Sequence, residues 1–104
     1  MADFLVYSNN SLSGENYPYL LDVQSDLLSR LDTRLVIPLM RKEQIGKATI
    51  KNLNPIAQVN EENFVVMTQQ MAAIPKITLG ERIENANIDR TEILTAIDFL
   101  ITGI

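Results

Sequence analysis

The stretch "LVIPLM", Leu35–Met40, decides the fold class of this chain. A short, continuous apolar run of this kind is typical of a buried β-strand. Pro38 lies inside the run and has no backbone N–H to donate to a neighbouring strand, which predicts a bulge or a sheet edge at that residue. The run therefore predicts a protein built around a β-sheet.

Further short runs of strand-forming residues lie on both sides of this strand, at intervals near ten residues. Polar segments join them: Ser8–Asn16 predicts a loop, Arg41–Asn54 a surface connection and Asn60–Asn63 a hairpin loop. This spacing is typical of an antiparallel barrel or sandwich-like sheet. The predicted strands are Phe4–Tyr7, Tyr19–Val23, Ile56–Val59, Phe64–Met67 and Ile74–Leu79, the last of which is expected to end at Gly80.

The C-terminal segment has a helical periodicity instead. Asp89 and Glu92 resemble a capping box, and Gly103 stands where a helix-ending glycine is common, so a helix is predicted from about Asp89 to about Thr102. With the strands, this helix predicts a single, mainly β domain of the α+β class over residues 1–104. The apolar stripe of the helix comprises Ile93, Ile97, Leu100, Ile101 and Ile104.

Two apolar residues of this helix, Leu94 and Phe99, lie outside the stripe. A helix with apolar residues beyond its main stripe is buried on more than one side. In so small a domain we expect the second cover to come from another subunit.

The composition excludes several kinds of chemistry. The 104 residues include no cysteine and no histidine, so there is no thiolate, and the commonest metal ligand and general base are missing. The four glycines are isolated, which leaves no phosphate-binding loop. We therefore predict no catalytic residues, no metal and no cofactor, and expect a binding protein. Asp22, Gln24, Ser25 and Asp26 are assigned to a structural corner that caps a turn.

The net charge of −4 comes from the C-terminal part. Residues 1–60 hold six acidic and six basic side chains, whereas residues 61–104 hold seven acidic and three basic ones. Direct binding of DNA by this acidic part is not expected, because it would not displace counterions from phosphates. No apolar run approaches the roughly 18 residues of a membrane span, and the N-terminus lacks a signal-peptide pattern, so a cytoplasmic protein without membrane contact is expected.

Five stretches in collinear order make the chain resemble the CcdB family, the plasmid and chromosomal toxins that poison DNA gyrase. The resemblance covers nearly the full chain. The stretches are Phe4, Val6 and Tyr7 of the first strand, "LLDVQSDLL" (Leu20–Leu28), "RLVIPL" (Arg34–Leu39), "VMTQQMAAIP" (Val66–Pro75) and "AIDFLITGI" (Ala96–Ile104).

This resemblance implies an SH3-like barrel or twisted antiparallel sheet with a small second sheet and a C-terminal helix. It further implies a symmetric homodimer without enzymatic activity that binds the A subunit of DNA gyrase and traps the cleaved DNA complex. A cognate CcdA-type antitoxin would neutralise the toxin. The toxin and antitoxin together would repress their operon, so that the toxin reaches DNA only through the antitoxin complex.

The resemblance also implies two sets of site residues. The gyrase-binding set is Leu27, Leu28, Asp98, Ile101, Thr102, Gly103 and Ile104. Thr102 replaces a family tryptophan, a residue type that often anchors interfaces. The competing structural interpretation is that Gly103 only caps the helix, Ile104 only packs in the core and Asp98 is only a solvated helix residue.

The antitoxin-binding set lies in Ser8–Asn16 and in Met40–Lys51, where basic side chains suit acidic residues of a disordered antitoxin tail. Plain solvated loops are the alternative. The set comprises Ser8, Asn9, Asn10, Arg41, Lys42 and Lys47.

Two other functions remain open at this point. MazF-like endoribonuclease toxins share the fold, although the missing histidine and the acidic C-terminal part weigh against RNA cleavage. A non-toxic relative that only binds antitoxin is the second alternative, since the tryptophan is missing.

Overall fold

A nearly closed antiparallel sheet with a C-terminal helix forms the computed structural model, which describes residues 4–46 and 49–103. The strands within these ranges are β1 Leu5–Asn9, β2 Tyr19–Asp22, β3 Thr33–Arg41, β4 Ile56–Val59, β5 Glu62–Val66, β6 Ala72–Pro75, β7 Leu79–Ile83 and β8 Ala86–Asn87. The helices are α1 Lys42–Ile45 and α2 Arg90–Thr102, and 3-10 turns cover Leu12–Glu15, Asp26–Leu28, Thr68–Gln70 and Lys76–Thr78. The predicted SH3-like barrel of the α+β class is confirmed.

The long strand β3 holds the sheet together. It pairs with β2 on one side, and on the other side with β6 along its first half and with β5 along its end. The main path runs β7-β1-β2-β3-β5-β4-β8, and β6 branches from β3. Within the described ranges all eight strands belong to this one sheet, so the expected small second sheet is not separate: β6 alone branches from β3.

Pro38 lies in the centre of the sheet rather than at a bulge or an edge, which corrects the prediction. On one side it stands opposite Leu20 of β2. On the other side it falls where β3 changes partner from β6 to β5, and its carbonyl accepts from Met67 N at 3.0 Å. A backbone N–H at position 38 would point to the same side of β3 as the Pro38 carbonyl. On that side the hydrogen-bond ladder is interrupted between β6 and β5, so the missing N–H leaves no regular strand pair without a donor. A central strand thus tolerates this proline.

The core lies on one face of the curved sheet. Alternate side chains of the strands point to this face because strand side chains alternate between the two sides of a sheet. Helix α2 covers it with Ile93 and Ala96, both about 1% exposed. The core cluster comprises Val6, Leu21, Ile37, Leu39, Ala57, Val59, Phe64, Val66 and Ile93.

Helix α2 begins and ends as predicted. Asp89 is the N-cap, and its Oδ1 accepts from Glu92 N at 3.1 Å. Gly103 adopts the left-handed conformation at φ 74°, and its N–H donates to Phe99 O at 2.9 Å. Both signals act within a few residues, which is why the sequence could be interpreted correctly here.

The hairpin between β4 and β5 is tighter than predicted. Val59 pairs directly with Glu62, so only Asn60 and Glu61 form the turn, with φ 51° and 67°. Positive φ at both central residues is typical of the two-residue turn that matches the twist of the flanking strands.

Two predicted boundaries were wrong near β1. The strand continues through Asn9 into the expected loop, because Ser8 pairs with Tyr19 of β2 and Asn9 with Leu79 of β7. Gly80 lies inside β7 instead of ending a strand. A Cβ at Gly80 would collide with Ser8 Oγ, so this glycine permits the close approach of two strands.

Candidate partner-binding site

The corner after β2 holds a 3-10 turn in place through side-chain hydrogen bonds to the backbone. Ser25 Oγ accepts from Leu27 N at 3.2 Å and caps the turn Asp26–Leu28. Gln24 uses both ends of its amide: Nε2 donates to Leu28 O at 3.1 Å and Oε1 accepts from Leu35 N at 2.9 Å. Gln24 therefore ties the turn to β3.

A buried ion pair connects this corner to β3. Arg34 Nε lies 2.8 Å from Asp22 Oδ2, and both residues are less than a tenth exposed. Asp22 Oδ1 also accepts from Gln24 N at 3.0 Å, and Arg34 Nη2 lies 4.0 Å from Asp26 Oδ1. The structural role predicted for the corner is confirmed, because the side chains of Asp22, Gln24 and Ser25 each hydrogen bond to the backbone.

The braced turn presents two leucines to solvent. The side chain of Leu27 is 94% exposed and that of Leu28 is half exposed. Both leucines are exposed because the segment is a 3-10 turn rather than a strand, in which neighbouring side chains would point to opposite faces. Random exposed leucines are common on protein surfaces, whereas this one is held rigidly at the tip of a corner.

One side of α2 lies next to this turn. Leu94 lines the same groove as Leu27, and Asp98 and Ile101 follow Leu94 by four and seven residues, which places them on the same side of the helix. Asp98 is exposed, and the side chain of Ile101 is 71% exposed. The structure thus brings the predicted residues of the turn and of the helix to one surface, which we call the helix–turn face: Leu27, Leu28, Leu94, Asp98 and Ile101.

The end of the helix continues this surface. Thr102 is exposed, and its Oγ1 donates to Asp98 O at 2.7 Å. Gly103 has the capping role that the structural interpretation assigned to it. Ile104, also predicted to bind gyrase, lies outside the described residues.

The residues predicted to bind antitoxin near β1 are held by hydrogen bonds. Ser8 Oγ accepts from Glu81 N at 2.9 Å, and Asn10 N donates to Thr78 O at 3.2 Å. The Asn9 amide donates to Tyr17 O at 2.8 Å and to Ser13 Oγ at 3.0 Å. This part of the set is therefore an ordered surface.

The basic residues of that set lie on β3 and α1. Arg41 Nε is 3.2 Å from Glu62 Oε2, and its guanidinium lies 5.8 Å from the centre of the Phe64 ring. Lys42 is exposed at the start of α1, and Lys47 lies outside the described residues.

Asn9 and Arg41, one from each part of the antitoxin-binding set, lie at the same end of the sheet but face opposite ways. Ser8 stands opposite Tyr19, which stands opposite Leu39, so β1 and β3 are about 10 Å apart there by the spacing of strands. Asn9 lines an apolar groove on the outer face with Leu20, whereas the Arg41 side chain contacts the core residue Phe64. A ligand that touched both parts would have to cross the end of the sheet.

Sequence reasoning missed two residues of this region, Leu94 and Arg90. The one signal in the sequence was that Leu94 is an apolar residue outside the helical stripe. Its position beside Leu27, and that of Arg90 in the same groove, depend on how α2 packs against the corner.

Two further observations concern other kinds of site. Across residues 4–46 and 49–103, no three His, Cys, Asp or Glu side chains cluster in a way that would hold a metal ion. Within the same ranges, no helix is long and apolar enough to cross a membrane.

The fold and site together define a small SH3-like barrel with a C-terminal helix that presents apolar side chains on a rigid turn and on one side of the helix. A protein-family model described as "CcdB protein" matches residues 3–103. The chain therefore belongs to the CcdB family, and it is the toxin of a toxin–antitoxin system.

Proposed function

We propose that this toxin binds the A subunit of DNA gyrase through the helix–turn face and traps the cleaved DNA complex, without catalysing a reaction of its own. The observation that carries the proposal is the nearly complete exposure of Leu27 on a turn held by Gln24 and by the buried pair of Asp22 and Arg34. Burying a leucine side chain at an interface is worth about 1.5–3 kcal/mol. A rigid turn contributes this without an ordering cost at binding.

The end of α2 contributes the rest of the proposed gyrase contact. Ile101 supplies exposed apolar surface, and Gly103 ends the helix in the left-handed conformation. Thr102 replaces the family tryptophan, and an anchoring residue of that kind is worth about 2 kcal/mol or more at an interface. We therefore place more of the binding energy on the turn than on the last three residues.

The proposed neutralising partner is a CcdA-type antitoxin whose disordered tail binds Ser8, Asn9, Asn10, Arg41, Lys42 and Lys47. The hydrogen-bonded β1 surface and the basic residues of β3 and α1 offer it a preformed path around the end of the sheet. The toxin is proposed to act as a homodimer, and to repress its operon by contacting DNA only through the antitoxin.

A binding measurement tests the gyrase proposal directly. The full chain and a chain shortened by the last three residues are titrated with the breakage-reunion fragment of the gyrase A subunit. We expect binding by the full chain, and a loss on truncation that is smaller than the loss caused by Leu27→Asp. In cells, growth arrest with DNA damage is expected, and arrest that persists in cells whose gyrase cannot bind the toxin would contradict the proposal.

The same protein sample separates the two alternative functions. Cleavage of added RNA would replace the proposal by an endoribonuclease function. Thr102 favours the non-toxic alternative. A wild-type chain that binds antitoxin, does not bind gyrase and does not arrest growth would establish it.

A further inference from the structure

A groove of about 320 Å³ lies on the face of the sheet that points away from the core, and we call it the outer-face groove. Leu20 of β2 and Val36 of β3 line it, whereas their chain neighbours Leu21 and Ile37 belong to the core cluster. Because strand side chains alternate between the two faces of a sheet, the groove and the core lie on opposite sides of the same strands. The volume falls at the lower end of the range of small-molecule pockets, about 300–1,000 Å³.

The floor of the outer-face groove consists of packed aliphatic side chains. Leu20 is 6% exposed and Val36 is 2% exposed, although neither belongs to the core cluster. Pro38 and Ile74 extend the floor and are half-buried. An apolar molecule that covered these side chains would gain the free energy of leaving water.

Two ordered walls enclose this floor. One wall is the loop after β1, where the Asn9 amide donates to Tyr17 O at 2.8 Å. The other wall is β6 with the 3-10 turn that follows it, where Thr78 Oγ1 donates to Pro75 O at 2.7 Å. Asn10 N donates to Thr78 O at 3.2 Å and joins the two walls. The pocket is therefore formed before a ligand binds, as small-molecule pockets usually are.

The lining of the outer-face groove is uncharged, although 21% of the residues in the chain are charged. By comparison, the groove between Leu27 and Leu94 includes Asp26 and Arg90. A charged ligand would lose hydration in the outer-face groove without meeting an opposite charge, so the lining favours an uncharged one. The polar side chains of the described lining are hydroxyls and amides only: Asn9, Ser11, Ser13, Tyr17, Gln70 and Thr78.

The Tyr17 hydroxyl is the polar group best placed to bind a ligand. No hydrogen bond within residues 4–46 and 49–103 uses this hydroxyl or the side-chain amide of Gln70. Tyr17 is half-buried, whereas Gln70 is exposed to water, so a hydrogen bond to Tyr17 would be better shielded. A phenolic hydroxyl can both donate and accept, which suits a ligand that carries a hydroxyl group of its own.

We propose that the outer-face groove binds a small, uncharged, largely apolar molecule with one hydroxyl group, of the class of neutral phenols and alcohols. Its apolar body covers Leu20 and Val36, and its hydroxyl hydrogen bonds to Tyr17. None of the five residues of the helix–turn face lines this groove. The inference goes beyond the proposed function, because it requires neither gyrase nor antitoxin.

Titration of the full chain with 4-ethylphenol, followed by two-dimensional NMR of the backbone amides, tests the proposal. The signals of residues that line the groove should shift with a dissociation constant on the order of 1 mM, as expected for a probe of this size. The charged analogue 4-ethylbenzoate is the matched control probe and should bind about tenfold more weakly. Equal binding of the two probes, or shifts confined to residues outside the groove, would overturn the proposal.

Two variants locate the site more sharply. Ala72 lines the groove from an exposed position on β6, so Ala72→Trp should fill the groove and weaken binding about tenfold or more. Ala73→Trp is the matched control, because Ala73 is equally an exposed residue of β6 but alternates to the other face. Tyr17→Phe keeps the ring and removes the hydroxyl, and should weaken binding about two- to tenfold.

Thermal unfolding shows which variants are folded. If Ala72→Trp does not fold, Tyr17→Phe decides: weaker binding supports the proposal, and binding as tight as that of wild type overturns it. A folded Ala72→Trp variant that binds 4-ethylphenol like wild type would overturn the proposal as well. The proposed gyrase binding stands in either case, because it depends on another surface.

An antitoxin tail and a second copy of the chain are the alternative occupants. Antitoxin titration and light scattering of wild type and Ala72→Trp distinguish them. If wild type does not bind 4-ethylphenol, and Ala72→Trp loses antitoxin binding or converts a dimer to a monomer, the proposal is overturned and the groove belongs to that protein partner.

Discussion

At the scale of single residues, the site depends on polar side chains that fix the backbone of its turn. Gln24 holds the backbone of Leu28 and of Leu35 at the same time, and Asp22 receives both Gln24 N and the Arg34 guanidinium. The exposed leucines of the turn are therefore positioned by a polar network in the layer beneath them. Rigid support of this kind lowers the entropy lost on binding.

Removing Gln24 should weaken the turn and its binding without abolishing the fold. Gln24→Ala leaves the partly buried Leu35 N–H without its acceptor, so the free energy of unfolding should fall by about 1–3 kcal/mol. Urea unfolding measures this. Affinity for gyrase should fall as well, whereas affinity for the antitoxin should stay the same, because the turn is not in the antitoxin-binding set. Equal losses for both partners would argue against a positioning role.

Breaking the buried ion pair should lower the free energy of unfolding by more than Gln24→Ala does. Asp22→Asn leaves Arg34 buried with no compensating carboxylate at 2.8 Å, and such changes typically cost about 3–5 kcal/mol of folding free energy. Thermal or urea unfolding tests it, with Asp26→Asn as the control, since Asp26 is largely exposed and 4.0 Å from Arg34. A loss as small as that of the control would show that the pair is unimportant for stability.

At the scale of elements, the β4–β5 hairpin contains a strained residue. Glu61 adopts φ 67°, a left-handed conformation that costs a non-glycine residue about 1–2 kcal/mol. The preceding Asn60 tolerates this conformation better, and its amide donates to the Tyr19 hydroxyl at 3.3 Å. The backbone conformation at Glu61 therefore lowers the stability of the folded chain relative to a residue that prefers this conformation.

Glu61→Gly should stabilise the protein by roughly 0.5–1 kcal/mol, because Asn-Gly is the preferred pair for this turn. The measurement is the midpoint of urea unfolding. Gly103→Ala is the opposite control, since it introduces a side chain at φ 74° and should destabilise. A decrease in stability for Glu61→Gly would show that the Glu61 side chain makes a compensating contribution.

At the scale of the whole molecule, α2 extends beyond the core that it covers. Ile93 and Ala96 are buried, whereas Leu100, seven residues after Ile93 on the same stripe, is 38% exposed. Leu100 follows Ile93 by seven residues and Ile101 follows Leu94 by seven, so the two pairs lie about 100° apart around the helix. The helix thus has one surface for the proposed gyrase contact and the end of another for the proposed homodimer.

The proposed homodimer should depend on that second surface. Leu100→Glu should shift the chain from dimer to monomer in light scattering at micromolar concentration, because it places a charge where apolar surface would be buried. Ile77→Glu is the control of matching chemistry on a distant turn. A monomeric wild type, or a Leu100→Glu variant that remains dimeric, would contradict this arrangement.

The sequence by itself determined the elements whose signals are local. The limits of α2 follow from Asp89 and Gly103, the β4–β5 hairpin from the turn residues between two apolar runs, and the corner from Asp22 to Asp26, since each is fixed by hydrogen bonds within a few residues. The resemblance to the toxin family also rested on ordered sequence matches. These features do not depend on which strand lies beside which.

The tertiary structure alone decided the features that depend on distant neighbours. Pro38 is central because β3 changes partner beside it, and β1 continues to Asn9 because β2 and β7 lie on either side. The groove between α2 and the turn Asp26–Leu28 exists because Arg90 and Leu94 pack opposite a turn more than sixty residues earlier in the chain. Pairing and packing over such separations leave no periodicity in the sequence, so only the assembled fold reveals them.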